Sequence, residues 1–136
     1  MLYERMKEIR RELNQFEDDF TKYSFLVTLS GYVTVSQTEL VLPQYRYYGC
    51  QSQVWLKQET NGDDFFMQAT SDTMLIRGIL YIMMELFNGC PLKEIAETDF
   101  DFLTELDLED YFSGHRSVGI RGIHGEIRDF CAKACL

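Results

Sequence analysis

One short polar stretch near the middle of the chain carries the residues best suited to chemistry. It consists of Gly49, Cys50, Gln51, Ser52 and Gln53. An apolar run begins directly after it, at Val54, so the pattern predicts a loop that presents a thiol at the start of a strand. Loops held by a rigid scaffold often carry function, whereas most free cysteines are small buried hydrophobes. The local residues alone therefore leave Cys50 open between a reactive and an inert thiol.

The other three thiols are predicted to be structural. Cys90, Cys131 and Cys135 lie in or beside apolar helical patterns, which is typical of buried cysteines. Cys131 and Cys135 are four positions apart, without the C-x-x-C spacing or the second pair of ligands found in zinc sites. The sequence therefore predicts no metal site.

A hydrolase built on Cys50 is a second interpretation. Such an enzyme needs a base within hydrogen-bond reach of its nucleophile. The candidates are His115, His124, Arg116 and Asp72, all distant from Cys50 along the chain. We predict His115 in a loop and His124 on a helix surface, and the spacing brings neither of them to the thiol.

The net charge limits the kinds of partner. The chain has 136 residues, consistent with one domain over 1–136, and a formal net charge of −9. This charge argues against a nucleic-acid face, which needs clustered lysine and arginine, but not against a protein with a basic surface. Apolar runs stay short of the ~20 residues of a membrane span, and the charged N-terminus lacks the apolar centre of a signal peptide. We therefore expect a cytoplasmic protein that makes no membrane contact and keeps its cysteines as thiols.

Two helices are predicted at the N-terminus. An apolar residue recurs at every third or fourth position of the first sixteen residues. The acidic cluster at 17–19 favours a new helix start, so we predict helices over about 2–15 and 18–30, with one long helix as the alternative. We interpret them as a packing pair, although the basic first helix would also suit a docking face. Residues 31–45 contain Pro43 and show no helical period, which predicts a loop with some extended structure.

A β-hairpin is predicted in the middle of the chain. Strand-like segments over about 52–60 and 65–69 flank Asn61-Gly62, a strong turn signal. A hairpin alone is marginally stable in water, so we expect at least a third strand, from residues 44–49.

The most apolar helix is predicted over 73–87. It is hydrophobic nearly all round, which is typical of a buried helix and places it under the sheet. Asn88-Gly89 should end it. Its candidate N-cap residues are Thr70, Ser71 and Asp72.

Shorter helical segments follow. A short helix is predicted over 91–97 and helical turns over 99–112, and Ser113-Gly114 should break the chain. Ser117 is then expected to cap a last helix. Gly122 and Gly125 lie inside that helix and predict the close approach of another element.

The stretch from Gly49 to Trp55 resembles the cysteine motif of the SufE family, sulfur acceptors in iron–sulfur cluster assembly. Other stretches are similar to the family in order and spacing. They are the two N-terminal helices with Lys22-Tyr23 and Leu42-Pro43, Ser71-Asp72 followed by Ile76-Arg77-Gly78, and Arg116-Ser117 with Gly119. The resemblance covers most of the chain.

The resemblance implies a fold and a function. The fold is a single α+β domain of the two-layer SufE/IscU-like type, with a small antiparallel sheet packed against helices. Cys50 would accept a sulfane sulfur from the persulfide of a PLP-dependent cysteine desulfurase, stimulate that enzyme, and pass the sulfur to an iron–sulfur scaffold. The chain itself would carry no cofactor and would act as a partner of the desulfurase rather than a stand-alone enzyme.

The resemblance also assigns roles to individual residues. Cys50 is the sulfur acceptor, and Gly49 gives its loop freedom to move. Asp72 matches a position that controls exposure of the loop, and Arg116 is a candidate contact to loop or partner. His115 stands where relatives have serine. The other loop residues shape the loop, and they are Gln51, Ser52 and Gln53. In the last helix, Gly122 and Gly125 depart from the family pattern.

Rival functions stay open from the sequence. An iron–sulfur scaffold needs several protein ligands, usually thiolates, and only Cys50 lies in a suitable loop. A cysteine hydrolase would need His115 as its base. A sulfur carrier serving another pathway, such as tRNA modification, has the same sequence features as one serving cluster assembly.

Overall fold

The structure, a computed structural model, describes residues 1–33, 39–112 and 114–136. Part of the predicted loop over 31–45 and one residue of the predicted break at Ser113-Gly114 lie outside these residues. The elements are α1 (Leu2–Leu13), α2 (Asp19–Leu29), β1 (Arg46–Tyr47), β2 (Val54–Asn61), β3 (Asp64–Ser71), α3 (Met74–Phe87), α4 (Leu92–Ala96), α5 (Phe102–Glu105) and α6 (His115–Ala134).

Two separate N-terminal helices form, as predicted. Leu2, Met6 and Leu13 on α1 are buried, so the apolar stripe faces the core. The acidic start of α2 is also confirmed, since the Asp18 carboxylate accepts a 2.7 Å hydrogen bond from the backbone N–H of Thr21. Both helices pack against α3.

The hairpin and the third strand are confirmed. The sheet has the order β1-β2-β3 and is antiparallel throughout. Leu56 pairs with Ala69 in the long ladder, and Gly62 turns the chain between the strands with a φ of +62°. β1 is short, and its Tyr47 pairs with Val54. The residues between these two partners therefore form a loop whose ends are held together by the sheet.

α3 is the centre of the core. It contacts β3, α1 and α2, and nine of its fourteen residues are buried. Asn88 and Gly89 end it, the glycine with a φ of +82°, as predicted. The result is an α+β fold with a three-stranded sheet and helices packed against it.

The predicted N-cap of α3 is wrong. β3 continues to Ser71 because Ser71 pairs with Val54, and the N-cap residue is Thr73. The backbone N–H of Thr73 donates to the Ser71 hydroxyl at 3.2 Å. Asp72 does not cap the helix, and its side chain is free to bind another segment.

The start of α6 also differs from the prediction. The helix begins at His115 with Gly114 as its N-cap, so His115 is not in a loop. Ser117 lies inside the first turn, where its hydroxyl donates to the Gly114 carbonyl at 2.9 Å. α6 packs against α4, α5 and β2 and places its N-terminal half beside the loop before β2.

The two interior glycines of α6 have different surroundings. A β-carbon on Gly122 would lie 2.1 Å from the Tyr47 hydroxyl oxygen, so the predicted close approach is confirmed there. At Gly125 the same atom would meet only the Arg128 side chain, at 3.9 Å, and the prediction is wrong. No helix of the described residues is long and apolar enough to cross a membrane.

Gly78 lets α2 and α3 cross closely. A β-carbon there would lie 2.1 Å from the Leu26 carbonyl oxygen, a backbone atom that cannot move aside. We expect Gly78→Ala to lower the free energy of unfolding by about 2 kcal/mol through overpacking, measured by urea denaturation.

Gly125→Ala is the matched control for this change. It makes the same substitution in a helix interior with ordinary space around it, and we expect it to stabilise the protein by about 0.5–1 kcal/mol. Equal effects of the two alanines would contradict the steric explanation.

Candidate functional site

Cys50 lies in the loop between β1 and β2 and is half-buried against α6. A β-carbon on Gly119 would stand 2.9 Å from the Cys50 sulfur and 3.2 Å from its Cα. Only glycine therefore allows this approach of loop and helix. The thiol rests in the shallow space that the missing side chain leaves.

Asp72 fastens the same loop to the junction of β3 and α3. Its carboxylate accepts a 3.0 Å hydrogen bond from the backbone N–H of Gln53. The Asp72 N–H in turn donates to the Gln53 carbonyl at 3.2 Å. The hydroxyls of Ser52 and Thr73 lie 2.7 Å apart and add a side-chain bond. These contacts hold the loop on the side that follows the thiol.

Tyr47 covers the loop on the side that precedes the thiol. Its hydroxyl oxygen would lie 2.2 Å from a β-carbon on Gly49 and 2.1 Å from one on Gly122. The phenol is thus enclosed between the loop backbone and α6. Burial raises the pKa of Tyr47, and the nearby Cys50 and Glu126 raise it further.

The residues predicted for the site fall into two groups. Ser52 and Gln53 of the predicted loop come together with Asp72 and Thr73 in one hydrogen-bonded unit, whereas Gly49 and Cys50 are held by packing and Gln51 is exposed. Arg116 is exposed on the first turn of α6, three residues before Gly119, and within the described part of the chain it forms no ion pair. The contact of Arg116 to the loop or to a partner stays a prediction, and its side chain is not part of the hydrogen bonds that hold the loop.

His124 does not serve the thiol. It is not on a helix surface as predicted, since only 3% of it is exposed. Its ring packs against Phe87 and Phe100, and its Nε2 lies 3.2 Å from the Thr98 hydroxyl. Burial, assisted by Arg128, lowers the pKa of His124 to about 4. His124 is thus a neutral core residue with its own partner.

The other thiols are less suited to transfer. Cys90 and Cys131 are buried as predicted, and burial raises the pKa of both, to about 12 for Cys131. Cys135 is exposed, so its predicted burial is wrong: α6 ends one residue earlier, and Cys135 is its C-cap residue. Among residues 1–33, 39–112 and 114–136, no three histidine, cysteine or acidic side chains are close enough to hold a metal ion.

Sequence reasoning missed the role of Tyr47. The residue lies in the short third strand, and nothing nearby in sequence marks it as a partner of the thiol loop. The available signal was Gly122, which departs from the family pattern at the point where the phenol needs space. The two residues are 75 positions apart, so only the fold shows that they are neighbours.

Fold and site together define a small α+β protein that presents one loop-borne thiol on a sheet–helix scaffold. The SufE family model, described as an Fe-S metabolism associated domain, matches residues 7–131. The chain belongs to the SufE family, as the sequence resemblance predicted, and is thereby associated with iron–sulfur metabolism.

Curated relatives agree with this assignment, and a solved structure shares the fold. An uncharacterized SufE-like protein of Rhizobium etli is 30% identical over 86% of this chain and 87% of its own length. A second, from Rhizobium meliloti, is 26% identical over 85% of this chain and 91% of its own. The solution structure of a hypothetical protein from Thermus thermophilus superposes over 96% of both chains with a TM-score of 0.76. At 15% identity, that last similarity concerns the fold alone.

Proposed function

We propose that this protein accepts a sulfane sulfur on Cys50 from the persulfide of a PLP-dependent cysteine desulfurase and delivers it to an iron–sulfur scaffold. The observation that carries the proposal is the half-buried thiol on a loop that Asp72 and α6 hold in place. A carrier needs a thiol that is protected at rest and can be presented to two partners in turn. Membership of the SufE family supports the same assignment.

The transfer is a thiol exchange. The Cys50 thiolate attacks the outer sulfur of the donor persulfide, a new S–S bond forms on Cys50, and the donor cysteine leaves as a thiolate. The proton lost by Cys50 passes to solvent or to the leaving thiolate. Delivery repeats the exchange in the other direction, with an acceptor thiolate attacking the outer sulfur on Cys50. Oxidation state is conserved, so neither step requires a redox cofactor on this chain.

The loop must move for this exchange to occur. In the resting state the sulfur lies against Gly119, where a partner's persulfide has restricted access. Asp72 then controls loop release through its bonds to Gln53, and Gly49 provides backbone freedom. Binding of the desulfurase supplies the free energy for opening, and the opened loop stimulates turnover by removing the product sulfur.

Exposed apolar side chains surround the loop and are suited to partner contact. Tyr48 is 76% exposed, Val118 65% and Met74 52%. Tyr48 belongs to the loop, Val118 precedes the Gly119 contact, and Met74 follows Thr73, which bonds to Ser52. Arg116, also exposed, precedes Val118 by two residues on α6. We assign desulfurase docking to the rim, because exposed apolar residues beside a site commonly mark an interface.

Val118→Asp tests the docking rim. A carboxylate in a desolvated interface costs binding free energy, so we expect KM for this protein in the desulfurase reaction to rise about tenfold with little change in kcat. Phe20→Asp is the control, because Phe20 is 79% exposed but lies on α2. An equal effect of the two substitutions would remove the rim from the interface.

The proposed function requires a reducing compartment. A carrier that works through a free thiol is suited to the cytoplasm, where thiols stay reduced, and the four cysteines are free thiols in the structure. In an oxidising compartment, oxidation of the Cys50 thiolate would compete with persulfide formation.

The direct test of the function is the intact mass after incubation with a cysteine desulfurase, PLP and L-cysteine. One added sulfur corresponds to about 32 Da, and it should map to Cys50 and be removed by dithiothreitol. Desulfurases of several types should be tried, each shown to turn over with dithiothreitol alone. Absence of the added mass with every competent desulfurase would overturn the proposal.

A further inference from the structure

We propose that Tyr47 is the latch of the Cys50 loop, a positioning residue whose ring must swing out before the thiol can reach a partner. The proposal deepens the function proposed above and rests on it for its biological meaning. Its structural content is independent, because it concerns the reactivity of Cys50 in the protein alone.

The first argument is the position of the phenol. Its hydroxyl oxygen occupies the space of a side chain at both Gly49 and Gly122. Gly49 immediately precedes the thiol, and Gly122 belongs to the helix against which the thiol rests. The ring is therefore wedged between the moving part and the fixed part of the site.

The second argument is that thiol and phenol use the same face of α6. Gly119 accommodates Cys50 and Gly122 accommodates Tyr47, three residues further along the helix. Residues at this spacing lie on one helix face. The two side chains are consequently neighbours, which agrees with the contribution of Cys50 to the raised pKa of Tyr47.

The third argument is the way in which the loop is anchored. Tyr47 and Val54 are paired in the sheet, so both ends of the loop are fixed. Rotation of the Tyr47 side chain can release the loop without breaking this backbone pairing. Asp72 holds the opposite side of the loop at Gln53, so the thiol lies between two fastenings. One is a hydrogen-bonded carboxylate and the other is a packed ring.

The test is the rate at which iodoacetamide alkylates Cys50 in the free protein, followed by peptide mass mapping. We expect Tyr47→Ala to raise this rate about tenfold, because local opening is no longer opposed by the ring. Tyr3→Ala is the matched control, since this tyrosine is 64% exposed on α1 and should leave the rate unchanged. Equal rates in wild type and Tyr47→Ala would overturn the proposal.

Gly122→Ala tests the latch from the other side. The new β-carbon would clash with the Tyr47 hydroxyl and expel the ring, so the rate should rise as in Tyr47→Ala. Combining the two substitutions should give no further increase, because both act on one contact. Gly125→Ala, on the same helix with free space, should behave as wild type. Full additivity of Tyr47→Ala and Gly122→Ala would count against the latch.

The buried thiols separate latch opening from general loosening. Cys90 and Cys131 lie in the core, so global destabilisation would raise their alkylation as well. Faster alkylation restricted to Cys50 supports the latch, whereas parallel increases at all three thiols overturn it. If Tyr47→Ala fails to fold, Gly122→Ala keeps the tyrosine and gives the same readout. Selective alkylation without sulfur uptake from any desulfurase would retain the latch and reject the proposed function.

Discussion

Replacing Cys50 by serine is expected to abolish sulfur uptake. The change exchanges one atom and preserves the loop contacts of Asp72 and Ser52, so the protein should fold normally. A hydroxyl cannot form the S–S bond on which the transfer depends. The measurement is ³⁵S labelling from radioactive L-cysteine in the presence of a desulfurase, read on a non-reducing gel.

Cys135→Ser is the matched control for this experiment. Cys135 is the more accessible thiol but belongs to no structured loop, and its removal should leave labelling unchanged. Cys90→Ala and Cys131→Ala should likewise retain transfer if they stay folded. Wild-type labelling of Cys50→Ser would exclude Cys50 as the acceptor.

Acid should destabilise the protein through His124. Burial holds its folded-state pKa at about 4, below the ordinary value of 6.5, and Asp101 only partly offsets the effect of Arg128. Between these two pKa values the unfolded state binds a proton at His124 and the folded state does not. Above pH 6.5 the histidine is neutral in both states and has no effect, whereas the free energy of unfolding falls as the pH drops from 6.5 towards 4. The expected loss in free energy of unfolding by pH 4 is roughly 3 kcal/mol.

Urea denaturation between pH 7.5 and 5.0 measures this loss before most carboxylates titrate, and about 2 kcal/mol of it falls in that range. His124→Gln is the matched variant, because its amide can bond to Thr98 but does not titrate. The variant should show a flat profile over the same range. A slope unchanged in the variant would assign the acid sensitivity to other groups.

Hydrophobic periodicity and turn signals predicted most of the helices and strands. The stripe on α1, the nearly continuous apolar surface of α3 and the turn at Gly62 are local signals that the tertiary structure reinforces. Helix caps were harder to predict. Several good capping residues precede α3, and which of them caps the helix depends on where strand β3 ends. Ser71 pairs with Val54, so the strand continues and leaves the cap to Thr73.

The burial of His124 could have been read from the sequence. Ile120, Ile123 and Ile127 form the buried stripe of α6, and His124 falls on the same face. Its neighbouring glycine and glutamate obscured that pattern. Cys135 shows the opposite error, because it was predicted to be buried and is exposed. The hydrophobic pattern of α6 was extended to a residue that lies beyond the end of the helix.

The local sequence predicted the thiol loop, but the reactive role of Cys50 came from the family resemblance rather than from a physical pattern. Gly49 to Gln53 have no hydrophobic period, and their arrangement depends on Asp72 and Gly119, which lie far away in sequence. The Tyr47–Gly122 contact was out of reach for the same reason. Such complementary pairs become visible only when the sheet and α6 are placed side by side.

The pairing of Tyr47 with Val54 fixes both ends of the Cys50 loop and so limits how far the thiol can move from the sheet. Cys50 is three residues from the nearer anchor, and at full extension this span reaches only ~10 Å from it. A sulfur carried by this loop cannot travel between distant centres. Under the proposed function, donor and acceptor must each bring their reacting atoms to within that radius of the sheet edge, so the two partners would bind overlapping surfaces of this protein. Delivery would then proceed by exchange of partners, with the loaded protein leaving one before it meets the next.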